Sequence, residues 1–193
     1  MWRRVFSIGG GGHLEPLCVE HAGLMARLLD DSEGEHWTAI ARPDPDDPVP
    51  WVLTRLSKTH ACYVVFQGEQ PVGYAQLRLE EDVGCPALWL TPSLRQRGHG
   101  SRVIRGLAGL AERARLSALV TGIRHGNVAS CAAFQRCGWA RTDWRVGAPF
   151  SDCGIWALAV NGAASRSALN LAALRFYSAS APLLGLHLHA GVP

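Results

Sequence analysis

Leu90-Thr91-Pro92-Ser93-Leu94-Arg95-Gln96-Arg97-Gly98-His99-Gly100-Ser101 is the stretch of this 193-residue chain whose residue types speak most directly of chemistry. A strand end, a glycine-containing turn and a helix start follow one another there. Several backbone N–H groups therefore point one way, with the positive end of a helix dipole behind them, and that arrangement holds an anion. Gly98 and Gly100 lack the Cβ atoms that keep a phosphate at a distance, while Arg95 and Arg97 add charge suited to a pyrophosphate. An ordinary strand-to-helix turn has the same composition, so the loop alone leaves both readings open. It lacks the third glycine of a dinucleotide fingerprint, and no Gly-Lys-Ser/Thr follows as a P-loop needs; Gly9 to Gly12 match neither pattern.

Arg95-Gln96-Arg97-Gly98-His99-Gly100 resembles the R/Q-x-x-G-x-G/A acyl-CoA loop of the GNAT N-acetyltransferase superfamily, and Leu90-Thr91-Pro92 stands where relatives usually carry Val-x-Pro. Asn127, Ser130, Phe134, Gly138 and Trp139 are similarly spaced to the family's N-x-x-S/A-x-x-x-F/Y-x-x-x-G-F at the next helix. The resemblance implies transfer of an acetyl group from acetyl-CoA, as co-substrate, to a primary amine by direct attack in a ternary complex, without a metal. It implies a pantetheine arm between splayed strands at Ala87 to Leu90 and Ala118 to Ile123. Leu88, Leu90 and Thr91 would then offer backbone groups. Arg95, Gln96, Arg97, Gly98, His99, Gly100 and Ser101 would hold the pyrophosphate, and Asn127 and Phe134 would approach the cofactor.

An amine with a pKa of about 10.4 needs roughly 4 kcal/mol to reach its neutral form at pH 7, so a base or water chain must take its proton. Glu80, Glu81 and Asp82 are the nearest acids in sequence, with a solvated turn as the plainer reading. Where many relatives place an acid in the next strand this chain has Leu88 and Trp89. Numerous relatives use Tyr in the second motif to protonate the leaving thiolate; the aligned Phe134 has no proton to give. Cys131 and Cys137, three residues either side of it, are the substitutes to weigh, with small buried thiols as the plainer reading. Asn127 also reads as a helix cap.

The formal charge of +3 is a sum of opposites. Asp30, Asp31, Glu33, Glu35, Asp44, Asp46 and Asp47 oppose only Arg42, a segment that reads first as a solvated loop and second as suited to a cationic acceptor such as a small polyamine, an antibiotic or a peptide N-terminus, with Asp44, Asp46 and Asp47 as candidate contacts. From Arg95 to Arg145 ten arginines face only Glu112 and Asp143, which suits CoA phosphates or, in a competing reading, nucleic acid. Loss of the Tyr favours a second competitor, a regulatory module that binds acyl-CoA without transfer. No apolar run reaches the roughly 20 residues that span a bilayer, so no membrane partner is expected. Met1-Trp2-Arg3-Arg4 lacks the apolar stretch of an export signal, and the six cysteines form no C-x-x-C pair, so a reducing cytoplasm is expected. A homodimer is left open.

The elements that must position these residues alternate. A strand from Leu14 leads to a helix at Glu20 to Leu29 and a short helix at Trp51 to Leu56. Strands at Cys62 to Phe66 and Val72 to Leu79 form a hairpin, followed by a strand at Ala87 to Leu90 and a helix at Ser101 to Arg115. A strand at Ala118 to Ile123, a helix at Val128 to Cys137 and strands at Trp139 to Val146 and Ile155 to Val160 complete an α/β layered domain with a mixed sheet. With the resemblance this becomes a mostly antiparallel central sheet with helices on both faces. Residues 1–13 read as a flexible arm, 14–160 as the acetyltransferase-like domain, and 161–193 as an extension with a plausible helix at Ser167 to Tyr177.

Overall fold

The computed structural model describes residues 4–30, 37, 38, 40–145, 151–162 and 164–184. Its strands are β1 (Phe6–Gly9), β2 (Gly12–Pro16), β3 (His60–Gln67), β4 (Gln70–Glu80), β5 (Val83–Leu90), β6 (Ala118–Arg124), β7 (Ala140–Arg145) and β8 (Cys153–Ala159). Its helices are α1 (Ala22–Leu28), α2 (Val49–Leu53), α3 (His99–Arg113), α4 (Val128–Arg136) and α5 (Arg166–Leu184). The hydrogen-bonding order is β1-β2-β3-β4-β5-β6-β8-β7, mostly antiparallel, with β5 and β6 parallel. The alternating order expected from the sequence is therefore present, with one strand added in front and one long helix behind.

Chain contacts divide into two units. The first comprises Met1–Arg78 and Pro86–Leu107. Residues 6–13, expected in a flexible arm, here form β1 and the start of β2. Gly9, Gly10 and Gly11 supply consecutive φ values of +77°, +59° and +77°, a left-handed path only glycine takes at low cost. The turn is tied to the β3–β4 turn by Gly68 N–H to Gly11 O (2.8 Å) and Gln67 Nε2 to Gly10 O (2.7 Å). Met1, Trp2 and Arg3 lie outside the described residues.

Alternation along β3 and β4 sends Cys62, Val64 and Tyr74 into a core with Met25, Leu29, Trp51, Val52 and Trp89. The opposite faces bury Tyr63, Val65, Ala75 and Leu77, and α3 buries Val103, Ile104 and Leu107. Tyr74 donates to Gln76 Oε1 at 2.8 Å, but the Tyr63 hydroxyl is buried without a partner among the described residues and burial pushes its pKa up to about 12. Tyr63→Phe is expected to leave stability at pH 7 unchanged or raised by about 1 kcal/mol, since an orphaned hydroxyl returns nothing for its desolvation. The unfolded chain ionises this group near pH 10, before the folded chain does, so the wild type loses stability from there upward and the variant loses less. Urea unfolding at pH 7 and pH 11 checks both.

The second unit comprises Leu79–Cys85 and Ala108–Pro193. Its core is Val83, Val120, Ile155 and Ala157 with Leu169, Ala172, Ala173, Phe176 and Tyr177 of α5. The helix foreseen for the tail is thus a buried wall of this unit. Along this helix Leu169 and Phe176 are buried, whereas Leu171 is exposed. Arg166 pairs with Asp143 of β7, and Arg175 bridges Glu81 Oε2 (2.7 Å) and Asp82 Oδ1 (2.8 Å).

Candidate functional site

The route to the glycine loop starts with the register of β5. Thr91 N–H donates to Val72 O of β4 (2.9 Å), and strand alternation then turns the backbone groups of Leu90 and Leu88 away from β4. That is the direction a ligand-binding strand edge requires. Thr91 differs from the sequence expectation: its N–H is already donated and its carbonyl accepts Leu94 N–H (3.0 Å), which leaves its hydroxyl, 3.4 Å from Ser93 Oγ. The parallel register with β6 is Val83 to Ala118 and Gly84 to Leu119. The next residue of that alternation is Pro86, which has no N–H to continue a ladder on that side. The strand expected at Ala87 to Leu90 instead begins at Val83, since a proline whose missing donor faces away from β4 removes no β4 bond.

The strand end is also held tightly. A Cβ on Gly73 of β4 would collide with Trp89 O and lie 2.7 Å from Leu90 Cδ2, so only glycine lets the two backbones approach. After Leu90 the chain makes a short 3-10 turn at Pro92–Leu94. Arg95 then folds back, its Nε donating to Leu90 O (3.0 Å) and its guanidinium carbon 5.7 Å from the Trp89 ring centre. Gln96 (φ +60°) and Gly98 (φ +80°) take left-handed backbone, and Arg102 N–H to Gly98 O (3.3 Å) opens α3. Side chains built on Gly98 or Gly100 would meet nothing within 4 Å. The glycines therefore clear space that the protein itself does not fill, beside the N–H groups of a 15-residue helix. Gln96 and Arg97 are exposed, His99 is half-buried and Ser101 is buried.

In the second unit the other motif resolves into the two ends of α4. Asn127 Oδ1 accepts Ser130 N–H (3.0 Å) as N-cap. At the far end Gly138 (φ +83°) donates to Gln135 O and Trp139 to Phe134 O, while the Phe134 and Trp139 rings meet edge to face at 4.8 Å. This is a Schellman cap with its apolar contact, so the spacing from Asn127 to Trp139 is helix punctuation. Phe134 is buried. Cys131 is half-buried and burial pushes its thiol above the usual range; Cys137 is the residue that ends the helix.

Glu80 ends β4 and Glu81 and Asp82 make the turn to β5, where Arg175 engages both, which gives those two carboxylates a structural role. Ser117 hydrogen bonding, with the Arg175 charge, holds Asp82 below the usual carboxylate range. Asp44, Asp46 and Asp47 are exposed, and Asp44 Oδ1 accepts Asp46 N–H (2.9 Å) in a self-contained turn. Asp31, Glu33, Glu35, Val146, His187 and His189 lie outside the described residues. A nearby cleft carries both signs of charge, with Arg27, Asp30 and Arg42 in its lining and an Asp30–Arg42 pair at 3.3 Å. Among the described residues no group of three His, Cys, Asp or Glu is placed to hold a metal, and no helix is long and apolar enough to cross a membrane.

A family model described as the acetyltransferase (GNAT) family matches residues 25–139. Among solved structures the chain resembles RimL, a ribosomal L7/L12 alpha-N-protein acetyltransferase in complex with coenzyme A, with a TM-score of 0.74 and 15% identity over 83% of this chain and 100% of that one. An acetyltransferase from Salmonella typhimurium that modifies the N-terminal serine of L7/L12 gives 0.72 at 15% identity, covering 81% and 99%. The aminoglycoside acetyltransferase AAC(6')-Ib in complex with ribostamycin and coenzyme A gives 0.65 at 19% identity, covering 77% and 93%. No curated protein matches the sequence.

Proposed function

This chain belongs to the acetyltransferase (GNAT) family, and on that premise we propose that it is a cytoplasmic N-acetyltransferase moving an acetyl group from acetyl-CoA to a primary amine. One observation carries the reading: a left-handed glycine turn opens a long helix with empty space at Gly98 and Gly100. The bound thioester supplies an electrophilic carbonyl that a neutral amine attacks directly. Leu88 and Leu90 lend backbone groups to the pantetheine, and Gln96, Arg97, Gly98, His99, Gly100 and Ser101 surround the pyrophosphate. Arg95 braces Leu90 and adds its positive charge beside the same phosphates. Asn127 caps α4 and orients its start, and Phe134 contributes an apolar wall and no proton. A CoA thiol, taken as similar to a cysteine with a pKa of about 8.5, leaves without help at a cost of about a hundredfold in rate.

Free thiol released from acetyl-CoA in the presence of polyamines, aminoglycosides and peptides with free N-termini is the test. Release that depends on one amine class supports transfer and names the acceptor. Tight acetyl-CoA binding with no release across the panel would make the chain a CoA-binding regulatory module, the reading that Phe134 favours. Salt-sensitive retention on polynucleotide without CoA binding would point to nucleic acid instead.

For the acceptor we propose a cation drawn by the exposed Asp44, Asp46 and Asp47. Replacing all three by Asn is expected to raise the acceptor KM about threefold to tenfold at low salt, through weakened surface attraction, with the acetyl-CoA KM unchanged. An unmoved acceptor KM removes the idea.

A further inference from the structure

We propose that Cys18 is a nucleophilic thiol, with His21 as its base and Glu15 orienting that base, and that it exchanges with small cationic disulfides. It would be a site of reversible modification that takes no part in acetyl transfer. β2 ends at Pro16, Leu17 N–H is tied to Cys62 O of β3 (2.9 Å), and a 3-10 turn at Val19–His21 starts directly after Cys18. Three residues per turn bring His21 back beside Cys18. Its Nδ1 lies 3.2 Å from Cys18 Sγ and accepts Cys18 N–H, also at 3.2 Å. Across the ring, Nε2 is 3.2 Å from Glu15 Oε1. Thiol, imidazole and carboxylate therefore stand in line through the two nitrogens of one ring, the order of nucleophile, base and orienting group.

The neighbours fix the tautomer. A backbone N–H only donates, so Nδ1 turns its lone pair to Cys18, and Nε2 carries the hydrogen that Glu15 accepts. The same carboxylate stabilises the imidazolium that forms when the ring takes a proton from sulfur. The His21 side chain is only 13% exposed, while Cys18 is half-buried and within reach of a small reagent. Capping alone does not call for these residue types, because Ser, Thr, Asp and Asn are the preferred caps and sulfur is a weak acceptor. Cys62 and Cys153, by contrast, are buried, one under the Tyr74 hydroxyl and the other beside Asp152. Glu20 faces the sulfur as well. Burial and the Glu20 carboxylate raise the Cys18 thiol above its usual range, so the protonated thiol is the resting form and its proton leaves as the sulfur attacks. In the exchange that proton passes to His21 Nδ1, and Cys18 Sγ bonds to one sulfur of the disulfide as the old S–S bond breaks. The departing thiolate takes up a proton, so one small thiol is released for each mixed disulfide formed, and the small disulfide is itself the oxidant. Glu15 and Glu20 set the class of reagent, attracting a disulfide that carries ammonium groups and repelling one that carries carboxylates.

Incubation of the intact protein with cystamine at pH 7, with mixed-disulfide formation at Cys18 followed by peptide mass spectrometry, tests this without reference to acetyl transfer. Each rate is divided by that of the same disulfide with 2-mercaptoethanol, a neutral thiol. Wild-type Cys18 is expected to react at least about tenfold faster than Cys18 in His21→Asn. The asparagine oxygen still accepts the Cys18 N–H and so keeps the turn, but it takes no proton. Glu15→Gln, which leaves the turn itself untouched, should slow the reaction about threefold to tenfold. Cystamine should outrun the dianion dithiodiglycolate about fivefold at low salt, and the gap should close at high salt. A Cys18 rate unmoved by both substitutions would reduce the cluster to a helix cap and overturn the proposal, as would a normalised preference for dithiodiglycolate.

Discussion

Gly100→Glu should abolish acetyl-CoA binding in a protein that stays folded. A side chain at this position enters open space, and the backbone there is ordinary right-handed helix, so the substitution brings neither collision nor strain. A carboxylate in the first turn is moreover favourable to the helix, by about 0.3–1 kcal/mol. The same charge lies where a pyrophosphate would sit, and it competes for the very N–H groups that would bind it. A loss of at least a hundredfold in affinity, about 3 kcal/mol, is expected together with an unchanged or slightly raised Tm. Gly98→Glu should lose binding too but also lower Tm, because φ of +80° is strained for any L side chain. Micromolar affinity retained by Gly100→Glu would remove the loop from the site.

Gly73→Ala carries the largest expected cost in stability. The added methyl group is driven against Trp89 O, a backbone atom in a packed strand pair that cannot rotate away. Relief requires β4 and the end of β5 to separate. That would stretch the Thr91 N–H to Val72 O bond and disturb Trp89, which is buried with Tyr74 and Trp51. About 3 kcal/mol of destabilisation follows from overpacking at a site that cannot relax. The lesion also reaches function, since Leu90 anchors Arg95. Denaturant unfolding and acetyl-CoA titration on the same preparation should both shift, whereas Gly68→Ala, in open space at an exposed turn, should lower stability only by the strain of its φ of +59°.

Periodicity made β3, β4, β6, β8, α3 and α4 readable to within a few residues, because each follows one repeat across one buried face. The failures have local causes. Gly9 to Gly12 read as slack, since a sequence does not say whether a glycine run is free or bent into a left-handed turn; Gln67 and Gly68, more than fifty residues on, decide it. Pro86 hid the first half of β5 because its cost depends on which way its missing donor faces. In the candidate site the loop was legible through Gly98 and Gly100, both clear of the protein's own atoms, although the φ of +80° at Gly98 also calls for glycine. Gln96 was not, as nothing about glutamine announces a φ of +60°. Asn127 and Phe134 were found for their spacing, which α4 explains as capping.

Gly9, Gly10 and Gly11 trace a segment of backbone in the mirror-image hand. There a D-amino acid is the natural residue and an L-amino acid the intruder. D-alanine at these positions would keep the turn and withdraw freedom from the unfolded chain, the route by which replacing a permissive glycine stabilises a protein. A methyl group of D configuration at Gly10 would also point away from Arg102, whose guanidinium an L methyl group there would meet. Cys18 follows the hairpin closely enough that residues 1–17 could be made chemically and ligated to a recombinant remainder through its thiol. The glycine run is thus a stretch of three consecutive residues where the handedness of the chain can be rewritten without redrawing its fold.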